Sequence, residues 1–362
     1  GLHHTDCSMS ISRWFGLAAL MALGAALLLL GGCSAGAALP PVLFLRVDDA
    51  GRAQLYRQDA SGGAARRLSA HPAGDVLDFA AAPDGSHVVY SVLDGSEGAL
   101  RLVDADGGGD RELLACPAAE CSAPVWSPDG KRLIYERRPL SASGVLDSPR
   151  LMWLDPASGE TIPLVATEVI GYGARFSPDG AWLSYVSPED EGVVLVPLAG
   201  GAQRLLSSRV GRPAAFSPDA SQIVISDITL VAEAAQESSR VYLYRVSLAE
   251  EGRERLSPAQ PVDDSAPAWS PDGQWIAFGR APADTAAGRQ LWLMRSDGSD
   301  ARALTAEPAI FHGPPTWSPD GRALLYQRYD LNDPAATPQV WSLRPDRKST
   351  RLNSSHWITS RM

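Results

Sequence analysis

The chain has 362 residues, 45% hydrophobic and 20% charged, with 42 acidic against 32 basic side chains and a net charge of −10. Over residues 33–345 the basic set loses Arg13, Arg347, Lys348, Arg351 and Arg361 and the acidic set loses Asp6 and Asp346, leaving 27 against 40 and a net of −13. That sign excludes a nucleic-acid surface and an electrostatic grip on anionic lipid, and the length suits one large all-β domain or two smaller ones.

Residues 1–32 read as an upstream stretch, "GLHHTDCS", followed from Met9 by a signal peptide. Arg13 precedes an apolar run from Trp14 to Leu30, which ends in Leu30-Gly31-Gly32-Cys33. The layout resembles the export signals of bacterial lipoproteins, where small residues admit the signal peptidase and the cysteine carries a diacylglyceryl group. The resemblance implies that Cys33 is the lipidated first residue of the mature chain, with 33–41 as lipidated cysteine and tether. A plain transmembrane anchor is the alternative, but about 17 apolar residues with a small-residue exit are short for a span. Ser34 replaces the aspartate that favours inner-membrane retention, which points outward and leaves periplasm and cell surface both open.

From Val42 to Ser69, "VLFLRVDDAGRAQLYRQDASGGAARRLS" supplies three short strands of a unit whose first strand is missing. A five-letter motif then recurs: "AAPDG" ending at Gly85, "WSPDG" at Gly130, "FSPDG" at Gly180, "FSPDA" at Ala220, and "WSPDG" at Gly273 and Gly321. The motif aspartates Asp84, Asp129, Asp179, Asp219, Asp272 and Asp320 stand 45, 50, 40, 53 and 48 residues apart. A period of 40 to 50 residues signals a repeat architecture. Proline fixes φ near −65°, aspartate bonds its own backbone and glycine accepts positive φ, so the motif is a strand-to-strand turn rather than a row of catalytic carboxylates.

After each turn comes an apolar run such as Leu133-Ile134-Tyr135 or Ile276-Ala277-Phe278, as in strands buried on both faces. A third strand, as in Leu291-Trp292-Leu293-Met294, and a fourth, as in "RELL" or "RALT", complete a four-stranded meander. Between the first and second full units, Cys116 and Cys121 lie in "ACPAAECSAP". Export permits a disulfide between them; free thiols or two ligands of a metal site are the alternatives.

The order W-S-P-D-G, I/L-x-Y/F, L-W-L-M, D-G-S and R-x-L-T resembles the TolB-like family of propeller repeats, over essentially all of 42–345. The resemblance implies an all-β propeller of seven four-stranded units, with the strand before each PDG turn innermost and the aromatics Trp126, Phe176, Phe216, Trp269 and Trp317 packed between blades. The unit at each end is partial, and ring closure would come from a carboxyl terminus that is lost.

Residues 346–362 begin "DRKSTRLNSSH" and read as the one-frame translation of a sequencing adapter, to be set aside like any scar. Thr350 to Ser354 nevertheless imitates the fourth-strand pattern and is expected to pair as one.

No G-x-S-x-G, H-E-x-x-H or phosphate-cradling loop occurs, and 33–345 holds three histidines, His71, His87 and His312. The sequence therefore predicts no enzyme, no cofactor and no metal. The PDG turns are expected on one face of the ring and the longer, less repetitive loops on the other, where binding residues concentrate. Arg137, Tyr172, Arg212, Asp263, Asp264 and His312 are the candidates on that long-loop face, although singly each reads more readily as an ordinary solvated loop residue.

Three functions follow. The first is a lipid-anchored scaffold of the cell envelope that binds a protein, peptide or glycan without catalysis. The second is the amino-terminal propeller of a longer enzyme similar to prolyl-oligopeptidase-type hydrolases. The third is a propeller polysaccharide lyase resembling the oligogalacturonate-degrading group, which would need a histidine set for metal.

Overall fold

The computed structural model describes residues 40–361 apart from 60–62, 72, 166–168, 234–235, 284, 286, 334–337, 346–349 and 352–356; Cys33 and the signal segment lie outside the described residues. Among the described residues the regular structure is all strand. It falls into seven four-stranded units, here called blades.

Blade 2 runs Asp75–Ala81, His87–Asp94, Glu97–Asp104 and Arg111–Cys116; blade 3 runs Ala119–Trp126, Leu133–Pro139, Arg150–Leu154 and Thr161–Pro163. Blade 4 holds Tyr172–Phe176, Trp182–Ser187, Gly192–Pro197 and Arg204–Ser207, and blade 5 holds Ala215–Phe216, Gln222–Glu233, Gln236–Ser247 and Glu254–Arg255. Blade 6 is Val262–Trp269, Trp275–Pro282, Gln290–Arg295 and Arg302–Ala303. In blade 7 the first place is shared by Ile310–His312 and Thr316–Trp317, followed by Leu324–Asp330, Gln339–Leu343 and Thr350–Arg351. Blade 1 supplies Val42–Val47, Ala53–Gln58 and Arg66–Arg67, and Trp357–Arg361 pairs antiparallel with Val42–Val47 in the first place.

The first place of blade 1, expected to stand empty, is thus taken by Trp357–Arg361, and Thr350–Arg351 pairs in the fourth place of blade 7, within the stretch expected to do so. An open sheet edge presents unpaired backbone N–H and C=O groups that any extended segment can satisfy, and Arg351 pairs with Trp341 at the edge of blade 7 on that basis.

Each turn is held by the side chains its letters predict. In the five full copies the serine hydroxyl donates to the aspartate Oδ1 at 2.5 to 2.6 Å. The same Oγ accepts the backbone N–H five residues on, at 2.8 to 3.0 Å. Oδ1 in turn accepts the N–H two residues after itself. In the first copy Ala82 replaces the serine, and Asp84 takes its hydroxyl from Ser86 instead. The closing glycines lie at φ of 68 to 71°. The space where a Cβ would sit on Gly130, Gly180, Gly273 and Gly321 abuts the motif proline of the preceding blade, which sets these turns side by side on one face.

The cores lie between blades. Leu45 and Leu55 of blade 1 pack with Phe79 and Tyr90 of blade 2, and Val89 and Leu100 of blade 2 with Leu133 and Tyr135 of blade 3. The pattern continues around to Phe44 and Tyr56 of blade 1 against Leu325 and Val340 of blade 7. Trp126, Trp269 and Trp317 donate their indole N–H to Ala80, Ala215 and Ala268 carbonyls on the first strand of the preceding blade. Cys116 and Cys121 form a disulfide from the last strand of blade 2 to the first strand of blade 3, beside Gly98, where a Cβ would stand 2.2 Å from the Ala119 carbonyl oxygen.

Two predictions follow from the turns. Ala220 holds φ of 54° where its counterparts are glycine, so Ala220→Gly should stabilise the fold by about 1 kcal/mol in chemical denaturation. The carboxyls of Asp84, Asp129, Asp179, Asp219 and Asp272 lie below their ordinary 3.8, chiefly through the neighbouring serine hydroxyls. A depressed folded pKa contributes stability above 3.8 that is lost as pH falls through the folded value. The unfolding temperature should therefore decline from about pH 4 downward, and Asp129→Asn together with Asp179→Asn should flatten that decline.

Candidate functional site

The first strands of blades 4 to 7 surround a cavity of about 610 Å³. Small and rigid side chains such as Ala214, Pro213, Ala266 and Pro267 line it, with Phe216 and Trp269 toward the turns. The strands reach this arrangement through bulges: the register slips between Tyr172 and Arg175 and again between Ser265 and Ala268, with positive φ at Gly173 and Ala266. A bulge turns the strand and re-aims the side chains around it. The charged lining residues are Arg175 and Arg212, and the described wall contains no carboxylate.

Arg212 is exposed at the cavity wall. Its loop is held by Tyr172, whose hydroxyl donates to the Gly211 carbonyl at 3.0 Å. Close packing of that loop requires Gly173, since a Cβ there would lie 2.6 Å from Pro213 Cγ. Two of the sequence candidates, Tyr172 and Arg212, are therefore brought together.

Asp264 and His312 correct the sequence reading, because both are 0% exposed. The strands of blades 6 and 7 begin earlier than the repeat suggests, so these residues lie inside sheets rather than on loops. The Asp264 carboxylate accepts Arg280 Nε at 2.6 Å and Nη2 at 2.7 Å, and the Ser257 hydroxyl at 2.7 Å. Burial raises the Asp264 pKa against the opposing pull of Arg280 and Ser257. His312 Nδ1 lies 3.1 Å from the Arg289 carbonyl, and Nε2 lies 3.4 Å from Glu307, whose other oxygen accepts from Arg328. Burial lowers the His312 pKa against the opposing pull of the Arg289 carbonyl and Glu307, and Nδ1 donates to that carbonyl.

Asp263 accepts the Val241 N–H at 2.9 Å and so ties blade 6 to blade 5. Arg137 lines a separate groove of about 240 Å³ between blades 2 and 3, beside Tyr135 and Arg150. The six candidates therefore divide into a pair at the channel, three residues in structural contacts and one in a remote groove.

Sequence reasoning missed Arg289, which is 8% exposed. Its Nε donates to the His312 carbonyl at 3.0 Å and its Nη1 to the Ser265 hydroxyl at 3.1 Å, with the guanidinium 4.7 Å over the Phe311 ring. The side chain crosses the second strand of blade 6 over Gly279, where a Cβ would stand 2.4 Å from Arg289 Cδ. A signal was present: Gly279 interrupts an apolar strand at the place where the other blades carry Glu136, Val186, Ser226 and Gln327. Glycine within a strand marks a close approach.

The TolB beta propeller domain matches residues 150–355 of the chain. Among solved structures, the chain is similar to the putative TolB from Agrobacterium tumefaciens at 23% identity and a TM-score of 0.50, covering 69% of this chain and 86% of that one. It is similar to the oligogalacturonate lyase from Vibrio parahaemolyticus at 15% identity and a TM-score of 0.59, covering 84% and 86%. A prolyl endopeptidase matches at 14% identity and a TM-score of 0.61, over 87% of this chain and 48% of its own, so this chain spans about half of that enzyme. At these identities the likenesses show the fold.

The buried Asp264–Arg280 pair is testable by stability alone. Asp264→Ala should cost about 3 to 5 kcal/mol, because it leaves Arg280 buried without its counter-charge. Replacing both, as Asp264→Leu with Arg280→Met, should recover most of that loss in urea denaturation.

Proposed function

This chain belongs to the TolB β-propeller domain family, and on that basis we propose a non-enzymatic binding scaffold of the cell envelope that holds a protein, peptide or glycan on the long-loop side of its channel. The observation that carries the reading is the cavity among blades 4 to 7, which runs along the first strands from Arg212 and Ala266 to the motif prolines Pro178, Pro271 and Pro319, with Arg175 and Arg212 as its charged members and Tyr172 fixing the Arg212 loop at the long-loop end. Concave apolar sites with a few placed polar groups are the usual form of a recognition pocket. The anchor in this proposal is a lipid on Cys33, which would set the propeller at a membrane surface despite its acidic charge.

The similarity to a prolyl endopeptidase, whose matched portion is under half of that chain, favours one second reading: a propeller that precedes a hydrolase domain in a longer gene product. Peptidase activity of a longer gene product containing this chain would select it. The polysaccharide-lyase reading has less support, since His312 is buried in blade 7 while His71 and His87 belong to the region of blades 1 and 2.

Arg212→Ala, at an exposed position, should reduce partner capture from envelope extracts while changing stability by no more than about 0.5 kcal/mol, and Tyr172→Phe, which removes the hydroxyl that holds the Arg212 loop, should reduce it likewise. Asp129→Ala with Asp179→Ala on the turn face should lower stability and leave capture intact. Recovery of the same partners by both variants would overturn the long-loop assignment. The anchor is read separately: fatty-acid labelling of the precursor should disappear in Cys33→Ala, and equal labelling would remove the lipid from the proposal.

A further inference from the structure

We infer that the open edge of the second strand of blade 5, at Leu230 and Ala232, takes an extended peptide as an added β-strand. The inference rests on the long-loop reading above and names the form in which the partner is held.

In blades 2, 3, 4, 6 and 7 the first strand accompanies the second to within a residue of its far end. Asp75 pairs with Leu93, Ala119 with Pro139, Tyr172 with Val186, Val262 with Pro282 and Ile310 with Asp330. Blade 5 departs from this. Its second and third strands, Gln222–Glu233 and Gln236–Ser247, have twelve residues each in unbroken register, whereas its first strand is Ala215–Phe216 and pairs with Val224 and Ile223. Beyond that pair, the preceding loop stands in for a strand. The Ser208 hydroxyl donates to the Ser226 carbonyl at 2.7 Å, the Arg209 N–H to the Asp227 carboxylate at 3.0 Å, and the Arg209 guanidinium to the Ile228 carbonyl. Past Ile228, among the described residues, no hydrogen bond reaches this edge.

Alternation decides which backbone groups are open. In an antiparallel pair a residue directs its N–H and C=O to the same side, and successive residues alternate. The Gln222, Ser226 and Ile228 carbonyls point to the first-strand side, since they accept from Ser217, Ser208 and Arg209. With the register unbroken to Glu233, Leu230 and Ala232 turn their N–H and C=O groups to that side, while Thr229 and Val231 face the third strand. Such an edge is a template for strand pairing, which proteins commonly blunt with proline, lysine or a bulge. Residues 229–233 contain none of these, and the Leu230 side chain is 62% exposed.

The edge selects a peptide because what it offers is main chain. An added strand gains hydrogen bonds along its backbone, and its side chains supply selectivity. The other blades show the fit, since their own first strands occupy the equivalent place. Charge adds a second requirement: the buried Asp227 carboxylate is shared by two guanidiniums, Arg253 at 2.7 Å and the half-exposed Arg209 at 3.6 Å. An acidic residue among apolar, β-branched ones therefore suits both Arg209 and Leu230. The loop that carries Arg209 continues to Gly211 and Arg212, so the edge adjoins the candidate site through the chain itself.

The test adds a peptide blocked at both ends, acetyl-Thr-Val-Asp-Val-Thr-Val-amide, to the isotope-labelled full chain and follows amide hydrogen exchange residue by residue. In the free chain the Leu230 and Ala232 amides should exchange at least tenfold faster than those of Thr229 and Val231, and the peptide should slow both at least tenfold. N-methylation of one alternate set of peptide amides should abolish that protection and methylation of the other set should leave it, because an added strand bonds through one edge. Lysine in place of the peptide aspartate should weaken binding at least tenfold. Leu230→Pro removes an open-side N–H at a position where an edge strand tolerates proline and should lower peptide affinity at least tenfold, whereas Leu230→Ala keeps the backbone donor and should retain protection at Ala232. Equal exchange of these amides in the free chain, no protection by the parent peptide, equal binding of both methylated peptides, or unchanged affinity in Leu230→Pro would each overturn the inference. Partner capture separates the two readings. Protection by the peptide with capture unchanged in Leu230→Pro keeps the strand-accepting edge and moves the captured partner elsewhere, whereas capture lost in Arg212→Ala without protection by the peptide overturns the edge and leaves the long-loop reading standing.

Discussion

A four-stranded sheet in this protein has two broad faces, and each is covered by the neighbouring sheet rather than by its own chain. Tyr90 and Val89, adjacent on one strand of blade 2, illustrate this: the first packs toward blade 1 and the second toward blade 3. Each such side chain contributes about 1.5 to 3 kcal/mol by leaving water, and that contribution exists only while both neighbours are present. Blade 1 therefore depends on blade 7, through Phe44 and Tyr56 against Leu325 and Val340, although they are distant in the chain. The three indole N–H bonds between first strands reinforce the same junctions near the axis.

What was legible in the sequence was whatever is decided within a few residues. The serine, proline, aspartate and glycine of each turn act on one another over a span of six positions, so their letters recur and their geometry follows. The apolar runs were legible for a related reason, since burial on both faces removes alternation and leaves Ile276-Ala277-Phe278 as a continuous stretch. The fates of Asp264 and His312 depend on partners that the period places elsewhere. Asp264 is fixed by Arg280 across a hairpin, and His312 by the Arg289 carbonyl one blade away. A position just before an inner strand looks like loop in the sequence, and only the register of the next strand reveals it as sheet interior. Arg289 was harder still, because its burial depends on a glycine on a different strand that gives it passage.

The division between the two faces has a physical basis in these bonds. On the turn face the motif serines, aspartates and glycines are committed to closing hairpins, and the motif prolines abut the next turn, with Pro178, Pro271 and Pro319 also lining the cavity. The opposite face carries connections of unequal length whose residues are released from the repeat. Tyr172 and Arg212 are neighbours there because two successive blades happen to place a hydroxyl and a carbonyl within 3.0 Å, a contact that no other pair of blades has to reproduce.

Charge gives the last step. The acidic excess over 33–345 surrounds a cavity wall whose charged members are arginines. In a random distribution of this composition a carboxylate would be the commoner neighbour for any arginine, and elsewhere in the fold that is what is found, at Arg101 with Asp110, Arg253 with Asp227 and Arg328 with Glu307. Solvent screens most such surface pairs to small net contributions, but a low-dielectric surround does not screen the buried Arg289 in the same way. The local inversion of charge thus concentrates at one place the electrostatic free energy that the rest of the surface disperses, and it does so where the ring geometry has already gathered side chains from separate blades.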